Sequence, residues 1–273
     1  MATEPTSAST AADRRPGMLG TLPSLQIARV MQIAVISDIH GNRHALEAVL
    51  EDIGRTAARE VWCLGDVVGY GADPNDCVRL VRAASAVCLA GNHDLGVTGG
   101  LSLDDFSRGA ALAARWTQEV IGDEEFAWLA SLHPTATREG IALNHASPRD
   151  PIWEYVLSVL LAELCFDAMP EDIGLVGHSH VALAFTRREG EAATGDARRE
   201  GETADISSGS WLLNPGSVGQ PRDGDPRASW LLLDLTAGSA SWRRTPYDID
   251  GAAAAIRAAR LPDSLAERLQ YGQ

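Results

Sequence analysis

Apolar residues recur along this chain in short runs that do not alternate, and each run stops on a cluster of Gly, Asp, Asn or His. The first run, Ile33-Ala34-Val35-Ile36, reads as a strand buried on both faces. It ends at Ser37-Asp38-Ile39-His40-Gly41-Asn42. Asn42 is placed to cap a helix, because Ala45, Leu46, Val49, Leu50 and Ile53 follow at helical spacing and Gly54 closes the segment. Residues 60–64 form a second strand, terminated by Gly65-Asp66. The turn-rich loop 67–75 leads into a helix carrying Cys77, Val78, Leu80 and Val81. A third strand over 86–90 ends at Gly91-Asn92-His93-Asp94. This repeated order of strand, polar loop and helix predicts a parallel sheet with right-handed crossovers.

Residues 103–131 carry Phe106, Leu112, Trp116, Val120, Phe126, Trp128 and Leu129 as an apolar face, so the segment reads as helical with its aromatic residues in the core. Segments 135–138 and 141–145, joined by Glu139-Gly140, predict a hairpin. Helical periodicity returns over 155–167, and the buried strand 173–176 stops at Gly177-His178-Ser179-His180. Residues 181–187 are strand-like, and the polar stretch 188–209 reads as a surface loop or a ragged hairpin. A strand at 211–213 gives way to Asn214-Pro215-Gly216-Ser217. Strands over 228–235 and 239–244 pair around Ala237-Gly238, and helices over 250–260 and 262–269 follow. No fixed-period repeat or linker divides residues 31–273, which read as one domain. Residues 1–30, rich in Ala, Ser, Thr and Pro, read as a disordered tail.

Composition narrows the function. The 273 residues suffice for a core of ordinary size, and the chain is 45% hydrophobic and 22% charged. A net charge of −14 argues against binding duplex nucleic acid, which needs a basic face to displace counterions. It leaves room for a small phosphorylated partner, because bound cations reverse the field locally. No apolar stretch reaches the roughly 18–20 residues of a transmembrane helix, so no membrane partner is expected. Cys63, Cys77, Cys88 and Cys165 form no C-x-x-C pair and read as reduced residues of a cytoplasmic protein.

Five of the seven histidines fall in the clusters that end the apolar runs. Singly, each reads as a capped or core residue; jointly, they point to a metal centre. Crevices open at the carboxyl ends of strands in α/β folds. Two aspartates, one asparagine and up to four histidines gathered there suit a pair of Mn²⁺, Fe or Zn²⁺ ions. The lack of thiolates argues against a structural zinc site, and a carboxylate can bridge two cations.

The order Asp38-x-His40, Gly65-Asp66, Gly91-Asn92-His93-Asp94, His145 and Gly177-His178-x-His180 resembles the calcineurin-like metallophosphoesterase superfamily. Asn214-Pro215-Gly216-Ser217 extends the likeness toward its compact bacterial and archaeal members. The resemblance implies a four-layer αββα sandwich. It implies one cation held by Asp38, His40 and His180, a second held by Asn92, His145 and His178, and Asp66 as the bridge, with manganese favoured over iron and zinc. It further implies hydrolysis of a phosphomono- or phosphodiester by in-line attack of a metal-bridging hydroxide. His93 then faces the substrate, as general acid or as a cation on the phosphoryl oxygens, with Asp94 orienting it.

Asn42, Tyr70 and Arg222 are candidate substrate contacts, and Asn75 and Arg227 are others; turn packing or plain solvation explains them equally well. Protein Ser/Thr phosphatases of the family carry Gly-Asp-x-x-Asp-Arg-Gly, whereas here Gly65-Asp66 runs into Val67-Val68-Gly69-Tyr70-Gly71. That departure favours a small phosphorylated compound. Nucleotide esters, cyclic nucleotides and dinucleoside polyphosphates all stay open. The alternatives are a phosphoprotein phosphatase and a non-catalytic scaffold, although a scaffold predicts eroded ligands and all are present.

Overall fold

The computed structural model describes Met1, Ala2 and residues 31–273. The tail expected over 1–30 therefore falls, but for its first two residues, outside the described residues. The chain opens with β1 (Gln32–Ile36), α1 (Arg43–Ile53), β2 (Ala58–Cys63), α2 (Pro74–Ala84) and β3 (Ser85–Cys88). Asn42 starts α1 by accepting the Ala45 amide on its side chain, 3.1 Å away. Three helices follow: α3 (Asn92–Thr98), α4 (Arg108–Val120) and α5 (Asp123–Ala130). The second half comprises β4 (Thr135–Arg138), β5 (Ile141–Asn144), α6 (Val159–Ala168), β6 (Ile173–Leu175), β7 (Ala182–Arg187), β8 (Thr194–Ala197), β9 (Thr203–Asp205), β10 (Ser210–Pro215), β11 (Ala228–Asp234) and β12 (Ser239–Thr245). Helices α7 (Ile249–Ala258) and α8 (Asp263–Glu267) complete it. None of the described helices is long and apolar enough to cross a membrane.

Two six-stranded sheets form, in the orders β3-β2-β1-β11-β12-β9 and β4-β5-β6-β10-β7-β8. Ile33, Val35, Leu231 and Leu233 of the first sheet meet Leu143, Leu175 and Leu213 of the second in the central core. The alternate residues of β1, Ala34 and Ile36, pack under α1 and α2 with Leu46, Val49 and Val78. Helix α6 covers the outer face of the second sheet through Ala162, Cys165 and Phe166. The result is the expected four-layer αββα sandwich, and β1 is buried on both faces because helices and the facing sheet cover it.

Three expectations change. Strands β1, β2 and β3 are parallel, but the sheet is mixed, because β11 runs antiparallel beside β1, with Gln32 opposite Asp234 and Val35 opposite Leu231. The helical reading of 103–131 breaks at Ile121-Gly122. There the Asn75 side chain accepts the Gly122 amide at 2.8 Å and donates to the Val120 carbonyl at 2.9 Å. That clamp resets the helical phase, so α4 buries Ala110, Ala111, Ala113, Ala114 and Thr117, while Leu112, Val120 and Phe126 stay exposed. It also absorbs Asn75, which packs a turn. Finally, the polar stretch 188–209 divides between the sheets, β8 joining β7 and β9 joining β12.

Candidate metal centre

The loops after β1, β2, β3, β5 and β6 meet at one end of the sandwich. They bring together Asp38 and His40, Asp66, Asn92, His145, and His178 and His180, all buried. Asp38 Oδ1 lies 3.4 Å from His180 Nε2 and 3.9 Å from His40 Nε2. Asp66 Oδ2 lies between the two halves, 3.6 Å from His40 Nε2 and 3.5 Å from His145 Nε2. His145 Nε2 is 3.2 Å from Asn92 Oδ1. Asp38, His40 and His180 form one cluster of ligand type and Asp66, His145 and His178 another, while His40, Asp66 and His93 overlap both.

Backbone carbonyls set the tautomers. The Nδ1 atoms of His40, His145 and His180 lie 3.2, 2.8 and 2.6 Å from the carbonyl oxygens of Val68, Leu64 and Gln220. A carbonyl only accepts, so each Nδ1 carries the proton and each Nε2 offers a lone pair inward. The Nε2 atoms of His40 and His180 are 3.0 Å apart, with two lone pairs facing each other. Nitrogens at about 2.0–2.1 Å from a shared cation can approach this closely. His178 Nε2 and Asp38 Oδ1 are buried without any hydrogen-bond partner. Orphaned acceptors of this kind require a cation or a proton, and the donor set fits hard to borderline divalent ions.

Burial governs the titration. It pushes Asp38 up to about 7 against a partial opposing pull from His145, and raises Asp66 well above the ordinary carboxylate range, with Asp94 adding to the shift. Burial lowers His178 to about 2 and His93 to about 3, the second with help from Arg222 and His145. It also holds His40 and His180 well below the ordinary range. The imidazoles of His40, His93, His178 and His180 are thus neutral, the form that ligates.

The backbone is unusual at these residues. Asp38, His40, Asp66, His178 and His180 all have φ between 51° and 63°, and Tyr70 has 56°. Such left-handed conformations are uncommon outside Gly and cluster at functional sites. Loop-to-loop hydrogen bonds impose them: the Asp38 and His40 amides donate to Gly65 and Asp66 carbonyls at 3.0 and 2.9 Å, and the Gly219 amide donates to the Asp38 carbonyl at 3.0 Å. Two glycines permit the approach. A Cβ on Gly91 would sit 2.0 Å from Asp66 Oδ1, and one on Gly177 would sit 2.1 Å from Ser37 Oγ. The Asn214-Pro-Gly-Ser segment acts here too: the Asn214 amide donates to the Gly177 carbonyl at 2.8 Å and to Ser179 Oγ at 3.0 Å. This bond braces the turn between two candidate ligands.

A cleft of about 240 Å³ opens beside the centre, and His93, Tyr70 and Arg222 line it. The Arg222 guanidinium sits 5.7 Å from the centre of the Tyr70 ring and donates to Gln220 Oε1 at 2.8 Å. Arg227 is committed to Asp225 and Glu200 instead. Asn42 does not reach the cleft, because its cap at Ala45 and a 2.9 Å bond to the Gly219 carbonyl use both ends of its amide. Nor does Asp94 orient His93 directly. Its two oxygens accept the Val68 and Gly91 amides at 3.1 and 2.9 Å, while His93 Nδ1 has no partner. The sequence places Phe106 on the apolar face of one helix and Tyr155 at the start of another and gives Trp153 no role, yet α6 begins only at Val159 and all three rings line the cleft.

Residues 31–238 match the model of the calcineurin-like phosphoesterase superfamily domain. An uncharacterized protein of Methanocaldococcus jannaschii is 41% identical over 247 residues, spanning 88% of this chain and 98% of that protein. The crystal structure of a metallophosphoesterase from Sphaerobacter thermophilus superposes with a TM-score of 0.81 at 42% identity, covering 89% of this chain and all of that one. A shorter likeness, 35% over 68 residues, links 24% of this chain to 25% of a symmetrical bis(5'-nucleosyl)-tetraphosphatase of Actinobacillus pleuropneumoniae.

Proposed function

This chain belongs to the calcineurin-like phosphoesterase superfamily, and from that premise we propose that it hydrolyses phosphoesters of a small compound with two divalent cations. The observation that carries the proposal is the convergence of inward-facing Nε2 lone pairs on two carboxylates, one of them shared between both clusters. Asp38, His40 and His180 hold one cation, Asn92, His145 and His178 the other, and Asp66 serves both; manganese is our first choice, before iron and zinc. Cations there supply Lewis acidity, lowering the pKa of water toward about 7 and neutralising phosphoryl charge.

His93 supplies the proton side. It stands beside Asn92 at the cleft, so it contacts the substrate rather than a ligand position. Its low pKa makes it a neutral hydrogen-bond donor, and an arriving phosphate anion raises that pKa toward a proton-donating value. Arg222, held by Gln220, adds a fixed positive charge against the phosphoryl oxygens. Tyr70 packs under that guanidinium and fixes its height.

The small cleft and the absence of an arginine after Gly65-Asp66 favour a compact substrate over a phosphoprotein. The short likeness to a dinucleoside tetraphosphatase keeps dinucleoside polyphosphates among the candidates. Four free cysteines, three of them buried, support a cytoplasmic setting. Metal analysis, then bis-p-nitrophenyl phosphate against p-nitrophenyl phosphate with Mn²⁺ and a nucleotide panel, tests the reading. Turnover that a chelator abolishes is expected. Metal-loaded protein inert toward every ester overturns it in favour of a scaffold.

A further inference from the structure

Phe106, Trp153 and Tyr155 line the cleft yet belong to none of the hydrophobic clusters that build the core. Tyr155 is 43% exposed. Their rings are nevertheless ordered. Phe106 meets His93 edge to face, with centroids 5.2 Å apart at 88°, and meets Trp153 in the same way at 5.3 Å and 73°. Trp153 lies 6.5 Å from His178, and Tyr155 stacks on that imidazole at 4.1 Å and 23°. A continuous arc of rings thus runs from the candidate proton donor to a candidate ligand.

The segment bearing two of these rings is braced by hydrogen bonds rather than by packing. The Ala146 and Ser147 amides donate to the Pro151 and Asp150 carbonyls, each at 3.1 Å. The Ile152 and Trp153 amides both donate to Asp150 Oδ1 at 3.1 Å. Glu154, between the two rings, accepts the Ser147 hydroxyl at 2.6 Å and pairs with Arg149 at 3.2 Å. That anchor leaves Trp153 and Tyr155 to the cleft side. Half-buried and exposed rings that stand outside the core, in contact with one another and beside a reactive centre, are a binding surface prepared before the ligand arrives.

Resting on the phosphoesterase reading above, we propose that this arc selects phosphoesters bearing a planar aromatic group, a nucleobase or a simpler aryl ring, over esters of aliphatic alcohols and sugars. The phosphoryl group lies toward His93 and Arg222, and the planar group stacks against Trp153 and Tyr155. Base–aromatic stacking tolerates any base, since each presents a π-face.

Titration calorimetry on the full-length protein loaded with Mn²⁺ compares uncleavable phosphonate analogues of adenosine 5'-monophosphate, phenyl phosphate and ribose 5-phosphate. The nucleotide analogue binds about tenfold more tightly than the sugar analogue. A phenyl analogue matching the nucleotide assigns the surface to aryl groups in general, and one matching the sugar assigns it to nucleobases. Equal affinities for all three, or no nucleotide binding at millimolar concentration, overturn the proposal. Trp153→Leu and Tyr155→Leu each bring the nucleotide-to-sugar ratio toward one, and Tyr155→Phe restores it. A ratio untouched in both leucine variants also overturns the proposal. Turnover with Mn²⁺, measured separately, distinguishes the two readings: a tenfold binding ratio with no hydrolysis sinks the phosphoesterase reading alone, and hydrolysis without any ratio sinks the stacking surface alone.

Discussion

Asp66 and His93 are neighbours with different duties. The Asp66 carboxylate reaches both ligand clusters, and its other oxygen accepts the His93 amide at 2.8 Å. Asp66→Ala is therefore expected to lose both cations and activity. His93→Ala is expected to keep its cations, by elemental analysis, while the rate falls about 10²–10⁴-fold. Burial also makes His93 a pH-sensitive element of stability. Its pKa is about 3 in the folded protein against 6.5 ordinarily. Between those values the unfolded chain binds a proton that the folded chain does not, so this residue's contribution to folding is intact above pH 6.5 and erodes as pH falls toward 3. In metal-free protein, the stability of wild type relative to His93→Gln should drop on going from pH 7 to pH 5, by on the order of 1–2 kcal/mol in urea titrations. A pH-independent difference contradicts this placement. The identities of these residues were legible in the sequence. Their left-handed backbone was not, because the hydrogen bonds that impose it come from loops far along the chain.

Short elements carry the site, and their ends matter more than their bodies. Strand ends announced themselves through apolar runs that stop on Gly, Asp or His. Helix boundaries were harder to read where a distant side chain set them. The α4–α5 break depends on Asn75, far upstream, and Phe106 left the expected apolar face once α3 and a short 3₁₀ turn placed it over Gly96. Asp94 shows the same principle at the start of α3, where it ties the 66–68 loop to Gly91. Asp94→Ala leaves two buried amides unpaired, at about 1–3 kcal/mol each. The thermal midpoint should fall accordingly, while kcat falls much less than in His93→Ala. A loss of kcat equal to that of His93→Ala, with an unchanged midpoint, restores Asp94 to a catalytic role.

Across the whole molecule, candidate ligands come from both sheets: Asp38, His40, Asp66 and Asn92 from the loops of one, and His145, His178 and His180 from the other. Cations bound there would staple the sandwich at its open end. Saturating Mn²⁺ should raise the thermal midpoint, and a chelator should reverse the rise, with about 2.7 kcal/mol gained at a hundredfold excess over Kd. A midpoint indifferent to metal argues against ligation across the seam. The αββα layering followed from the resemblance that the ligand motifs carry, whereas the apolar runs by themselves predict only a parallel sheet of strands buried on both faces. The mixed order of the first sheet was not legible, since β1 finds β11 only through contacts some two hundred positions apart. That pairing has a consequence for synthesis. Every candidate ligand has been synthesised once residue 180 is made, yet β1 still presents an open edge, and it gains its neighbour only when β11 emerges. A fragment of residues 31–180 should accordingly aggregate and take up no manganese, despite carrying the complete ligand set, while the full chain remains dispersed. Until β11 emerges, the nascent protein holds every candidate ligand and only part of their shelter, which makes it a natural client for chaperones.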